Sequence, residues 1–316
     1  MEKKSIRKAY GHALADYGAE NTDVAVVVAD VSASVQTRFF AEKFPERFFN
    51  VGITEQALVD FAAGLALGGM IPFANTFAVL FLRAAEQIRT SVAYAKTNVK
   101  LVGSYSGLSD YKDGPTHNIE CDIAVMRSIP NIAVVEVADA VEAEKMVPEV
   151  AEYDGPVYLR LSRSEAPIIF DENYEPKIGK AAIIRDGSDV ALIASGVMVY
   201  RCLKAAENLA RMGIDAYVVN MSTIKPLDLN VVQKVAADTG AIVTAEDHSV
   251  IGGLGGAIAE ALGEMKPMVL ERIGIRDTFT ETSRSYDALL DHYGMSVEDI
   301  VKAAQRAVKR NRQIHI

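Results

Sequence analysis

Residues 24–29 read VAVVVA, six apolar side chains with nothing polar between them. A strand that wets one face alternates polar and apolar residues. An unbroken run is the pattern of a strand buried on both faces, and such strands belong to parallel sheets covered by helices on each side. Related β-rich runs follow at 99–103 (VKLVG), 132–137 (IAVVEV) and 157–160 (VYLR). Between them the apolar spacing predicts helices over 5–19, 35–43, 55–68, 77–96, 120–128 and 140–151. Parallel neighbours need crossovers long enough to hold a helix, so the alternation predicts an α/β fold with a mostly parallel sheet flanked by helices.

The rhythm breaks at 164–180, SEAPIIFDENYEPKIGK, where Pro, Asp, Glu and Asn accumulate without periodicity. It resumes with strands at 190–195, 216–220, 242–245 and 268–273, and with helices at 199–212, 228–238 and 253–263. The ending VEDIVKAAQRAVKRNR predicts an amphipathic helix whose late Lys and Arg suit the negative end of its dipole. A chain of 316 residues exceeds what one hydrophobic core usually organises. The expectation is therefore two α/β domains, 1–170 and a smaller one at 181–316, joined by a linker at 171–180.

Charge excludes one class of function. The net charge is −9 and no long Lys/Arg run occurs, which argues against nucleic-acid binding. A membrane span is excluded on similar grounds. The apolar segment 57–82 contains Asp60 and is interrupted by Gly68, Gly69, Pro72 and Asn75, whereas a spanning helix needs about 20 apolar residues in one element. It reads instead as two buried helices joined by a short Gly/Pro link that carries a strand. Cys121 and Cys202 lie far apart and read as buried thiols. The charged start, MEKKSIRKAYGHALADYG, has no apolar signal core, and together these features predict a cytoplasmic chain.

Four stretches could carry chemistry. In FFNVGITEQAL (48–58) one acid, Glu55, enters an apolar region. Thr54 could cap a helix that begins at Glu55, which would make Glu55 a first-turn acid favoured by the dipole. Alternatively, a buried glutamate can hold a proton near neutral pH. In SDYKDGPTHN (109–118), the turn Asp113-Gly114-Pro115 follows a strand and displays Asp113 and His117 where open α/β sheets bind ligands; a surface turn with an incidental His is the plain alternative. Arg7, Arg160 and Arg163 could bind phosphate, with Ser34 adding a hydroxyl, although single arginines are commonly solvated or ion-paired. In IGGLGGAIAEAL (251–262) glycines run into a helix, a weak anion-binding signal that tight strand-to-helix packing also explains. No phosphate loop, metal-type Cys/His spacing or nucleophile elbow occurs.

These stretches, in order and spacing, resemble the C-terminal half of transketolase. The likeness runs through IRKAYGHAL (6–14), FFNVGITEQ, IPFANTFAVLFLRAAEQIR (71–89), DGPTHN, RSIPNIAVV (127–135), LSRSEAPIIF (161–170) and TAEDHSVIGGLGGAI (244–258). The resemblance implies a thiamine-diphosphate-binding pyrimidine domain followed by a smaller α/β transketolase C-terminal domain whose role is mainly structural or in assembly. It places Glu55 at a ring nitrogen of the pyrimidine, and Phe77, Leu80 and Phe81 in the pyrimidine pocket. Leu80 stands where an aromatic is usual, and Phe81 is expected to compensate. Arg7, Ser34 and Arg163 match residues that bind a sugar phosphate; Asp113 and His117 match residues at the substrate hydroxyls, where His117 could also assist proton transfer. Tyr105 occupies the place of a phosphate-binding histidine, and a phenol brings no positive charge.

The family's diphosphate-binding half carries a GDG motif and a downstream Asn that hold Mg²⁺, with Ca²⁺ or Mn²⁺ as substitutes. This sequence has no GDG and starts a few residues before IRKAYG. The resemblance therefore implies one subunit of a split transketolase, an enzyme of pentose phosphate metabolism. The metal would be held by a separate N-terminal subunit, and the implied assembly is an α2β2 heterotetramer acting on sugar phosphates. Three alternatives share parts of the pattern: the β subunit of a 2-oxo acid dehydrogenase's decarboxylating component, a transketolase or carboligase for an unusual sugar phosphate, and a non-catalytic assembly subunit.

Overall fold

The computed structural model describes residues 2–314. Its strands are β1 (Lys3–Ser5), β2 (Val24–Val28), β3 (Phe48–Asn50), β4 (Ile71–Phe77), β5 (Lys100–Ser104), β6 (Ala133–Glu136), β7 (Val157–Leu161), β8 (Glu165–Pro167), β9 (Ala182–Arg185), β10 (Val190–Ala194), β11 (Ala216–Asn220), β12 (Thr223–Lys225), β13 (Ala241–Ser249) and β14 (Val269–Ile275). Seven form one sheet in the order β12-β6-β7-β5-β4-β2-β3, and five form a second in the order β14-β13-β10-β11-β9. Pairing is parallel in both except at two edges, β12 against β6 and β9 against β11. The α/β reading of the sequence is correct. All five residues of β2, β5, β7, β10 and β11 are buried, as helices on both faces require.

The apolar stretch after Glu55 shows how local residues set the path. The helix Glu55–Leu67 stops at Gly68, and Gly69 turns the chain at φ +92°, a conformation that favours glycine. The chain then enters β4. Pro72 lacks an N–H, but it precedes Phe73, the first residue paired with β5, so the ladder on that side begins after it. The helix expected over 77–96 is not a regular α-helix. It is a 3₁₀ stretch at Ala78–Ala84, one α turn at Ala85–Gln87 and a π-helical stretch at Ile88–Tyr94. The burial spacing explains the winding: Ala78, Phe81 and Ala84 are the buried residues of the first stretch, one per three-residue turn. The helix expected over 35–43 is likewise divided, into Ser32–Val35 and Arg38–Lys43, because Gln36 lies at φ +65°. Among the described residues, no helix is long and apolar enough to cross a membrane, and both cysteines are free.

The two halves of the chain are knitted together. β12, from the second half, adds an edge to the first sheet. The irregular segment after β8 is tied down: the Ile169 and Phe170 N–H groups donate to Asp139 Oδ2 at 2.6 and 2.9 Å, and the rings of Phe170 and Tyr174 stack 3.7 Å apart.

Candidate active site

The carboxyl ends of β7, β5, β4, β2 and β3, neighbours in the first sheet, each lead into a candidate residue. Arg163 follows β7, Tyr105 follows β5, Phe77 closes β4, Ser34 follows β2 and Glu55 follows β3. This edge is where open α/β sheets bind ligands, because the loops there all leave the sheet on one side. Arg7, on the helix Ile6–Glu20, reaches the same edge: its guanidinium meets the Tyr105 hydroxyl at 3.1 Å and the Ser34 carbonyl oxygen.

Glu55 begins its helix, as expected, and is only 4% exposed. Thr54 occupies the N-cap position, but its side chain makes no capping bond. Its hydroxyl donates to the Val51 carbonyl at 2.9 Å, which tightens the turn before the helix. The isolated acid of the sequence also has a companion: Arg83 Nη1 stands 3.4 Å from each Glu55 oxygen, though its side chain is largely exposed. Ile53 and Phe61 are exposed large apolar side chains on the same turn and helix.

Tyr105 organises the arginine end of the site. Its ring stacks on Phe77 at 4.0 Å between centroids, and the Arg7 and Arg163 guanidiniums lie 4.6 and 5.3 Å from its centroid. It adopts φ +62°, uncommon for a residue with a side chain, so the surrounding packing holds it there. Ser34 contributes its backbone carbonyl to Arg7.

The loop after β5 brings Asp113 and His117 to the same place. The His117 ring lies 6.0 Å from that of Phe77, and its Nδ1 is 2.9 Å from the Thr116 hydroxyl, which leaves Nε2 for a ligand. A residue passed over in the sequence, Asp110, joins them. Donor atoms of Asp110, Asp113 and His117 lie within 4.8 Å of one another, close enough for a cation, but Arg163 Nη1 competes for Asp110 at 2.8 Å. Burial pushes the Asp110 carboxyl above its ordinary range; Arg163 pulls it back and Asp113 adds to the rise. No local signal marks Asp110, because its role depends on a residue from the next strand over. The second domain buttresses this loop, a part beyond assembly. Asp247 accepts from the Leu108 N–H at 3.1 and 3.0 Å, Asn118 donates to the Thr280 hydroxyl at 3.1 Å, and Ser283 donates from its backbone to Tyr111. Gly107 allows this approach: a Cβ there would lie 2.0 Å from Asp247 Oδ2.

Three candidates belong elsewhere. Arg160 is wholly buried and bound to Asp122 and Glu136, so it is a structural charge and not a phosphate ligand. Phe81 is fully buried and meets the Tyr158 ring edge-on at 6.1 Å, whereas Phe77 and Leu80 keep partly exposed surfaces. The glycine-rich helix start at 252–256 is already occupied by a side chain, since the Glu246 carboxyl accepts from the Leu254 and Gly255 N–H groups at 2.7 and 2.8 Å. A cleft of about 800 Å³ opens between β8 and the second domain; Arg7 and Arg163 reach it, but Glu55, Phe77 and His117 do not.

Comparison with known proteins finds two family domains along the chain. The family described as transketolase, pyrimidine binding domain, matches residues 2–168, and that described as transketolase, C-terminal domain, matches 179–300. A putative transketolase C-terminal section of Methanocaldococcus jannaschii is 42% identical over 313 residues, spanning 97% of each chain. A 6-deoxy-6-sulfo-D-fructose transketolase subunit of a Clostridium species is 41% identical over 311 residues, 98% of this chain and 96% of its own. A solved structure described as a split gene transketolase, inactive beta4 tetramer, superposes with a TM-score of 0.89 at 43% identity, covering 98% of this chain and 99% of that one.

Proposed function

This chain belongs to the transketolase family, and from that premise we propose that it is the C-terminal subunit of a split transketolase. With a separate N-terminal subunit it transfers a two-carbon ketol unit from a ketose phosphate to an aldose phosphate. The observation that carries this reading is the gathering of Glu55, Phe77, Tyr105, His117, Arg7 and Arg163 along one sheet edge.

Transketolases depend on thiamine diphosphate, which supplies the electron sink for breaking the ketose carbon–carbon bond. The residues here suit its pyrimidine half: a buried carboxylate at a helix start and partly exposed Phe77 and Leu80. Glu55 would hold a pyrimidine ring nitrogen through a shared proton. Phe77 and Leu80 orient the ring and exclude water. His117 Nε2 and Asp113 face the substrate hydroxyls, and His117 moves a proton there. Arg7 and Arg163, with the Tyr105 hydroxyl and the Ser34 segment, bind the anionic end of the sugar. The N-terminal subunit, carrying a GDG motif and a downstream Asn, holds the diphosphate and Mg²⁺ in an α2β2 assembly. The similar split gene transketolase is inactive as a beta4 tetramer, which supports the need for a partner.

A second reading concerns the sugar. Tyr105 is neutral, and one relative is named for 6-deoxy-6-sulfo-D-fructose, so ketol transfer on a less usual anionic sugar also fits.

The test is reconstitution. The chain alone should be inactive and, mixed with its N-terminal subunit, should transfer the ketol unit from xylulose 5-phosphate to ribose 5-phosphate. Glu55→Ala should lower kcat by about 100-fold or more while leaving the fold intact. Turnover by the pure isolated chain would sink the shared-site reading, and decarboxylation of pyruvate or 2-oxoglutarate would favour the dehydrogenase alternative.

A further inference from the structure

Asp110 lies outside the roles assigned above, yet it stands at the anionic end of the site. It is fully buried, and neither carboxylate oxygen has a hydrogen-bond partner; its one close cation is Arg163 Nη1, 2.8 Å from Oδ1, while donor atoms of Asp113 and His117 lie within 4.8 Å. A buried carboxylate without hydrogen bonds is expensive, so its charge is held by the guanidinium it faces. That contact changes the charge available to a ligand. Arg7 and Arg163 flank Tyr105, Asp110 offsets one of them, and the phenol adds a hydrogen-bonding group without charge. Around Tyr105 the two guanidiniums and one carboxylate leave at most a single net positive charge, and Asp113 beside Asp110 lowers it further.

We propose that Asp110 makes this a site for a singly charged terminal anion, of the sulfonate class, in preference to a phosphate dianion. The proposal rests on the assignment of Arg7 and Arg163 to the sugar's anionic end. A sulfonate and a phosphate offer similar tetrahedral oxygens, so shape and hydrogen bonding separate them poorly. Charge separates them well: a phosphate monoester carries about −1.5 to −2 at pH 7. Its second charge would meet the Asp110 carboxylate in a buried setting, where repulsion is weakly screened. Burial lowers the basicity of Arg7, with Arg163 acting the same way, while Tyr105 and Asp110 oppose them; Asp110 thus lets two guanidiniums share one small volume.

The experiment uses the complex of this chain with its N-terminal subunit and two donors, fructose 6-phosphate and 6-deoxy-6-sulfofructose. Both kcat/KM and calorimetric Kd are measured. The wild-type complex should favour the sulfonate by about tenfold, Asp110→Asn should move the ratio about tenfold toward the phosphate, and Asp110→Glu should restore it. A wild-type preference for the phosphate, failure of both sugars to bind, or a ratio unmoved in a folded Asp110→Asn complex would overturn the proposal. If Asp110→Asn does not fold, the wild-type ratio decides. Sulfonate-selective binding without ketol transfer would uphold the charge selectivity and remove the proposed reaction, so the two readings fail separately.

Discussion

Arg160 and Arg163 sit on the same run, YLRLSR, and both read as possible phosphate ligands. Their environments are opposite. Arg160 lies within β7 and has no exposed surface. Its Nε and Nη2 donate to Asp122 at 2.8 and 3.2 Å, Nη2 also donates to the Asp247 carbonyl at 2.9 Å, and Nη1 meets Glu136. Asp122 accepts in turn from Tyr158, and Glu136 from Ser195. Arg163 lies past the strand's end, keeps 27% of its side chain exposed and has one carboxylate partner, Asp110. Arg160, within the strand, faces the seam between the domains, where its donors are matched by Asp122, Glu136 and the Asp247 carbonyl. Beyond the strand's end the same group retains donors for a ligand. Position relative to the sheet edge, and not residue type, separates a fully paired arginine from one that keeps exposed donors.

Breaking that contrast gives the largest expected effect. Arg160→Ala leaves Asp122 and Glu136 buried without their countercharge and should destabilise the chain by about 3–5 kcal/mol in urea denaturation. Arg163→Ala should cost stability by only about 1–2 kcal/mol, because Asp110 can take up a proton, but should raise KM for the donor at least ~10-fold in the reconstituted enzyme. Equal losses of stability from the two would collapse the distinction.

The buried seam should also leave a signature in pH. Burial raises Glu246 to about 8, despite two backbone N–H donors that oppose the rise. Burial likewise raises Glu142 to about 7 and Asp247 to about 6, while it lowers His248 to about 4. An acid whose folded pKa is raised binds its proton more tightly when folded, so its contribution to stability falls as pH climbs from the unfolded value to the folded one. His248 acts oppositely, adding stability as pH rises from about 4 to its ordinary 6.5, and is flat above that. Between pH 6.5 and 8 the slope therefore belongs mainly to Glu246, and stability should fall by roughly 2 kcal/mol. Chemical denaturation across that range measures it, and Glu246→Gln should flatten the curve. An unchanged slope in the variant would assign the titration to another group.

The smallest effect sharpens the open end. Tyr105→Phe keeps the stack on Phe77 but removes the hydroxyl 3.1 Å from Arg7. KM should rise about two- to fivefold, with stability nearly unchanged. A KM that does not move would detach the phenol from ligand binding.

Much of the fold is legible in the sequence because it is local. VAVVVA, VKLVG, IAVVEV and VYLR announce strands of the first sheet by their own apolar runs. The short strands β1, β8 and β12 carry no such signal, since three residues form a strand only when a partner from elsewhere supplies the hydrogen bonds. The site divides in the same way. Glu55, Phe77, His117, Arg7 and Arg163 are accessible through motif order. Asp110 is not, and Arg160 reads as a ligand when it is a structural charge, because charge pairing joins distant positions.

Periodicity along the chain is enough to set the α/β class and the start of the helix at Glu55, because those depend on neighbours a few residues away. Burial of charge is decided only in three dimensions. Arg160 finds Asp122 across 38 positions and the Asp247 carbonyl across 87, and Leu108 reaches the Asp247 carboxylate across 139. Whether a charge is buried and paired or remains open to a ligand depends on what the fold places around it, and linear order carries no record of that.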